Sequence, residues 1–232
     1  GDVVFIKNID NVVPDARKGP TLLWKRLLAG RLLEVERRVH HLVGLLDAGD
    51  GTAADEAIAY LRETFGDATA EADGLTNAER AAWVRARLAR PLRVCGVVRN
   101  EGEPGGGPFW VRGRDGRLSR QIVESAEVNL EDPAQKKTWA SSTHFNPVDL
   151  VVSLRDASGR PWDLFRFVDH DAVFVSRKSH GGVELLALER PGLWNGAMAF
   201  WNTLFVEVPI ETFAPVKTVL DLLRPEPRTE AE

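Results

Sequence analysis

Val3-Val4-Phe5-Ile6-Lys7-Asn8-Ile9-Asp10-Asn11 opens with a β-branched and aromatic run that gives way at once to amides and a carboxylate. Four consecutive apolar residues leave neither side of a pleat for water, so Val3 to Ile6 reads as a strand buried on both faces. Such a strand needs sheet neighbours, and the next residues offer none. From 21 to 47, Leu22, Leu23, Leu27, Leu28, Leu32, Leu33, Val39, Leu42, Val43 and Leu46 recur at three-to-four spacing, predicting an amphipathic helix broken at Gly30. Its charged face carries Lys25, Arg26, Arg31, Glu34, Glu36, Arg37 and Arg38. A second helix is expected over Ala53 to Phe65. A third starts at the Thr76-Asn77-Ala78-Glu79 capping box and stops by Pro91.

Strand character returns at Val94-Cys95-Gly96-Val97-Val98. Phe109 to Val111 and Leu118 to Val123 flank Asp115-Gly116, a hairpin signal. Further strands are expected over Val148 to Leu154, Trp162 to Val168, Val173 to Ser176, Val183 to Leu188 and Leu204 to Val208. Helices are expected over Trp194 to Thr203 and Thr218 to Leu223, before a disordered tail, 224–232. The reading is one α/β domain over 1–223 on a mixed, mainly parallel sheet, with a helical block inserted at 16–90. The sheet is then assembled from distant pieces. Opening on a core strand without Met, the chain is expected to be a fragment of a longer protein.

Composition narrows the class. The 232 residues are 44% apolar and 28% charged, which excludes a disordered or collagen-like chain and a membrane bundle. One cysteine excludes a disulfide framework. Thirty basic against 34 acidic residues leave a net charge of -4, so no nucleic-acid partner is expected. No apolar run reaches the ~20 residues of a spanning helix and no signal peptide opens the chain. No membrane partner and a cytoplasmic location follow as expectations.

Five polar patches carry candidate chemistry. Asp10 and Asn11 follow the first strand, where α/β sheets place ligands, and Asp10 suits a hard cation such as Mg²⁺; the same residues also make an ordinary turn. Gly102 to Pro108 permits close backbone approach or a flexible connection, without the spacing of a phosphate loop. Glu124, at a strand end, can accept hydrogen bonds from sugar hydroxyls. His144, in Ser141 to Pro147, is either a general base or a hydrogen-bonding residue. Lys217 begins a helix, where its charge opposes the dipole unless a phosphate is bound. Asp169-His170-Asp171 and His40-His41 lack a third metal ligand, and Cys95 sits in an apolar strand as an inert thiol.

In order, these patches resemble the second half of the eukaryotic-type UDP-sugar pyrophosphorylases. Phe5 to Asn11 is similar to their strand ending in Asn-x-Asp-Asn, Cys95-Gly96-Val97-Val98 to their Val-Gly-Val-Val, and Val123 to Glu127 to their Val-Glu-Tyr-Ser-Glu, with a difference in the middle. Phe145-Asn146 resembles their sugar loop, and Val208 to Leu223, with Pro215-Val216-Lys217-Thr218, their closing motif. The whole chain more closely resembles a bacterial domain-of-unknown-function family, 4301, through Ile6 to Asp15, Asn100 to Val111, Ser142 to Leu150 and Pro191 to Ala199. The resemblance runs from Val4 to about Pro225, leaving out much of the helical block.

It implies a nucleotide-diphospho-sugar transferase fold, in which a sugar 1-phosphate attacks a nucleoside triphosphate with Mg²⁺ and releases pyrophosphate. It further implies that Asp10 contacts metal and phosphates, Gly96 and Glu124 the sugar, Asn146 a sugar hydroxyl and Lys217 the phosphates. Asn11 and His144 join the substrate-binding set. The relatives' amino-terminal Gly-rich loop is absent from these residues, so the expected partners are a sugar phosphate or sugar nucleotide and a missing amino-terminal half. The alternative is a non-catalytic sugar-nucleotide-binding module on the same fold. A third possibility is an interaction protein working through the Leu-rich helix, if that helix keeps an exposed apolar stripe.

Overall fold

The computed structural model describes residues 2–11, 13, 15, 18–67, 69–100, 105–113, 116–216 and 219–220. Lys217, Asp115, Gly102 to Pro104, the tail 224–232 and all of Thr218 to Leu223 except Val219 and Leu220 lie outside the described residues.

The first strand, β1 (Val3–Lys7), finds its partner some 150 residues away in β6 (Asp149–Ser153), which runs antiparallel to it. On its other side β6 pairs antiparallel with β2 (Leu92–Arg99), and β2 pairs in parallel with β9 (Asn202–Glu207). A two-residue strand, β5 (His144–Phe145), adds an antiparallel pairing to the end of β2. The sheet is therefore mixed but mostly antiparallel, and the expectation of a mainly parallel sheet is corrected. β6 separates β1 from β2, so those two like-directed strands are not neighbours. β1 is also not buried on both faces: as an edge strand it leaves Phe5 48% exposed.

The helix α1 (Lys18–Asp47) crosses one face of the sheet. It runs unbroken through Gly30, which meets open space, so the glycine costs about 1 kcal/mol of helix propensity and no kink. Thr21, Leu28, Leu32, Val35, Val39, Leu42 and Leu46 form its buried stripe, against Val94, Val98, Val151 and Leu204 of the sheet. Each fully buried leucine contributes about 1.5–3 kcal/mol. Lys25 and Glu36, read as parts of a solvated face, turn instead toward β6, where they meet Asp149 and Ser153. Leu22, Leu23, Leu27 and Leu33 remain exposed on the outer side. Next come α2 (Ala53–Tyr60), continued by one wider turn to Phe65, and α3 (Asn77–Leu88), where Thr76 and Glu79 form the reciprocal cap.

The opposite face buries Cys95, Leu150 and Val152 against Ile122, Met198 and Trp201. Ile122 comes from the hairpin β3 (Gly107–Arg112) and β4 (Leu118–Val123), followed by α4 (Pro133–Ala140). The segment expected as a strand, 162–168, contains a 3-10 turn over Leu164–Phe167: Leu164 and Phe167 pack into this second core at three-residue spacing. The helix expected over 194–203 is a set of turns leading into β9. Gly196 adopts a φ of +93°, which breaks helical continuation, and a Cβ there would stand 2.5 Å from Ala172. The hairpin β7 (Phe174–His180) and β8 (Val183–Glu189) pairs apart from the main sheet, leaving Val175, Leu186 and Leu188 exposed.

Candidate functional site

Because β1, β2 and β9 run in one direction, their carboxyl ends share an edge of the sheet. Asn146 organises that edge. Its side-chain Nδ2 donates to the Gly96 carbonyl at 2.7 Å, its Oδ1 accepts from Val148 N–H at 2.8 Å, and its own N–H donates to the Gly106 carbonyl at 2.8 Å. Val148 is the sole non-glycine among the described residues with positive φ, at +57°, a conformation costly for a β-branched side chain. It is held from both sides, since Asn8 N–H donates to its carbonyl at 3.1 Å. The last described segment joins the same frame: Ala214 N–H donates to Asn11 Oδ1 at 2.8 Å and Val216 N–H to the Asp10 carbonyl at 2.7 Å.

This frame brings together Asp10, Asn11, Gly96 and Asn146 from three distant stretches of chain. The Asp10 carboxylate is half-buried and has no ion pair or hydrogen-bond partner among the described residues. Asn11 is buried, and its Nδ2 has no partner there either. Gly96 points the direction of its missing side chain at Leu28 of α1, Val208 and the Asp149 carbonyl, so it gives α1 room to dock and lends its carbonyl to Asn146. Glu124 is one step removed, its side chain lying beside Gly106. His144 has Thr143 Oγ1 2.8 Å from Nδ1 and a Glu207 carboxylate oxygen 3.2 Å from Nε2, so its ring sits against strand neighbours. Lys217 follows Val216 but lies outside the described residues.

Glu124 and Glu127 close a small turn, with Glu127 accepting from Glu124 N–H at 2.8 Å. Burial raises both carboxyls above the usual range, Glu124 further through the charge of Glu189. Glu127 borders a cavity of about 580 Å³ between the β3–β4 hairpin, α4 and the 169–199 segment, with Phe109, Trp139 and Trp194 on its walls. Phe109 and Trp139 stack at 5.4 Å. That volume suits a small organic ligand.

Among the described residues no group of three or more His, Cys, Asp or Glu could hold a metal alone. One unengaged carboxylate at Asp10 still fits Mg²⁺, which commonly takes one or two protein carboxylates and completes its shell with substrate phosphates and water.

Sequence reasoning missed two charged features. Asp149, at the first position of β6, is buried with Lys25 Nζ 2.7 Å from Oδ1 and Lys7 Nζ 3.7 Å from Oδ2. The signal was present: Lys25 falls on the buried stripe between Thr21 and Leu28, where a solvated lysine has no place. Arg93 is buried in β2 with neutral acceptors, Thr203 Oγ1 at 2.8 Å and Gln121 Oε1 at 3.0 Å; as the polar start of an apolar run it gave no such signal.

The chain is thus an α/β domain with a polar frame at one edge of a mixed sheet and an aromatic cavity. The family profile described as a domain of unknown function, DUF4301, matches residues 1–228, and the chain belongs to that family. No curated protein matches the chain. Among solved structures it has remote similarity to a Leishmania major UDP-glucose pyrophosphorylase point mutant in complex with UDP-glucose, at 20% identity and a TM-score of 0.37, covering 66% of this chain and 34% of that one. For a Trypanosoma brucei UDP-glucose phosphorylase the values are 21%, 0.38, 66% and 32%. The chain thus spans about a third of the length of these proteins. No helix among the described residues is long and apolar enough to cross a membrane.

Proposed function

We propose that the carboxyl edge of the sheet binds a sugar phosphate or sugar nucleotide, and that the chain is the sugar-phosphate half of a sugar-1-phosphate nucleotidyltransferase. The reaction joins a sugar 1-phosphate oxygen to the α-phosphorus of a nucleoside triphosphate, breaks the bond to the β-phosphate oxygen and releases pyrophosphate. One observation carries the reading: Asn146 and Val148 tie the Asn8–Asn11 and Gly96 segments together, and Asp10 and Asn11 tie on Ala214–Val216, so stretches that resemble that enzyme group's motifs in order share one hydrogen-bonded frame. The neighbouring aromatic cavity adds support. Aromatic faces pack on the apolar face of a sugar ring, and a carboxylate such as Glu127 at the cavity's border accepts hydrogen bonds from the ring's hydroxyls.

In this reading Asp10 and Asn11 face the phosphates, Asn11 through its unpartnered amide N–H. Bound Mg²⁺ at Asp10 would supply neutralising charge. Catalysis of this kind is largely positioning and charge stabilisation, so a site without a nucleophile is chemically sufficient. Lys217, by resemblance, adds a cation at the phosphates. The test is pyrophosphate release, with a panel of triphosphates and sugar 1-phosphates, by the full-length protein. Asp10→Asn and Lys217→Ala are each expected to cost at least about 100-fold. Unchanged turnover in both variants would contradict the reading; sugar-nucleotide binding without turnover by the parent would favour a non-catalytic binding module instead.

A further inference from the structure

Asp149 carries one negative charge and faces two ammonium groups. Its side chain is only 4% exposed, and those of Lys7 and Lys25 are 23% and 18% exposed, so the surplus positive charge is largely withdrawn from water. Lys25 is well satisfied: it donates to Asp149 Oδ1 at 2.7 Å and lies 5.3 Å from the centre of the Phe5 ring. Lys7 is not. At 3.7 Å from Oδ2 it is beyond hydrogen-bond distance, and its three N–H groups have no acceptor among the described residues. A clamp joining α1 to the sheet needs only Lys25. A second, half-buried lysine beside it adds repulsion and desolvation, and both depress the Lys7 ammonium's pKa, burial most.

Lys7 also immediately precedes Asn8, and Asp149 immediately follows Val148, the two residues whose main chains are hydrogen-bonded at the site frame. We infer that Lys7 and Lys25 form a binding pair for a phosphoryl group, with Asp149 holding the two ammonium groups together and Lys7 supplying the donors that no protein acceptor uses. The inference rests on the proposed function only for the ligand's identity, the phosphate of a sugar phosphate. Lys7 stands on the strand that leads into Asn8 to Asn11, and Lys25 on α1 lies outside the stretches that carry the family resemblance.

Titration calorimetry of the 232-residue chain with inorganic phosphate, and separately with glucose 1-phosphate, tests both levels. The pair predicts that the parent binds both, that Lys7→Gln and Lys25→Gln each weaken both at least about 10-fold, and that Lys7→Arg retains most of the affinity. If Lys25→Gln fails to fold in a thermal melt, Lys7→Gln decides alone, since the Lys7 ammonium lies 3.7 Å from Asp149 and has no closer acceptor among the described residues. Phosphate bound through the lysines, with glucose 1-phosphate no tighter than phosphate, would uphold the pair and contradict the sugar-phosphate reading. Glucose 1-phosphate bound equally well by parent and Lys7→Gln would overturn the pair and leave that reading standing. No binding of inorganic phosphate by the parent would also overturn the pair.

Discussion

Asn146 commits its side-chain amide to main-chain partners at Gly96 in β2 and at Val148 just before β6. Removing it leaves a buried carbonyl and a buried N–H without partners, each costing about 1–3 kcal/mol. Asn146→Ala is therefore expected to lower the urea midpoint by an amount equivalent to at least about 1–3 kcal/mol. Val148→Gly should change stability by less than about 1 kcal/mol in the same titration, because relief of its left-handed strain offsets the lost side chain and the flexibility of glycine. Sequence patterning singled out Asn146 and Asn11 as polar residues beside apolar strands. It did not reveal that Asn146 is a brace, because its partners, Gly96 and Gly106, lie 40 or more residues away. Cys95 was legible as inert: burial pushes its thiol up to about 11. Alkylation at pH 8 should thus proceed only at the rate of unfolding, and reaction of the native protein at a free-thiol rate would contradict its burial.

At the scale of elements, local signals were read well and long-range packing poorly. The Thr76–Glu79 cap and the stop before Pro91 follow from backbone groups satisfied within one turn. The 194–203 stretch misled because its apolar residues have helical spacing, while the left-handed Gly196 and its contact with Ala172 belong to the tertiary fold. α1 was legible as a helix but its docking was not, since Gly96, the position that admits it, looks like any strand glycine. A Cβ at Gly96 would lie 3.3 Å from the Asp149 carbonyl and 3.4 Å from Leu28 and Val208. Gly96→Ala should force α1 outward and cost about 1–3 kcal/mol of stability in chemical denaturation; an unchanged midpoint would mean that the helix yields freely.

For the whole molecule, which strands pair in the main sheet is decided by contacts between residues far apart in the chain, as in Val3 with Ser153 and Leu92 with Asn202, which periodicity cannot see. That is why the first strand was legible as a strand while its edge position and its antiparallel partner β6 were not. Charge also acts at this scale. Glu71 receives Arg117 through both oxygens at 2.8 and 2.7 Å, with Trp83 and Arg87 alongside, joining the β3–β4 hairpin to α3. Chiefly through the Arg117 hydrogen bonds, its pKa falls from 4.5 to about 2. A folded-state value below the unfolded one gives stability that is complete above about pH 4.5 and lost as pH falls toward 2. Glu71→Gln should flatten the melting temperature across that window, and an acid limb as steep as the parent's would exclude Glu71 as its source.

The most direct measurement of the edge as a sugar-phosphate site is a two-dimensional amide NMR titration of the chain with glucose 1-phosphate and Mg²⁺. The account predicts that saturable shifts concentrate at Asn8 to Asn11, Gly105 to Gly106, Asn146 to Val148 and Ala214 to Val216. Saturable shifts centred on the β7–β8 hairpin or the outer face of α1, with that edge silent, would contradict it.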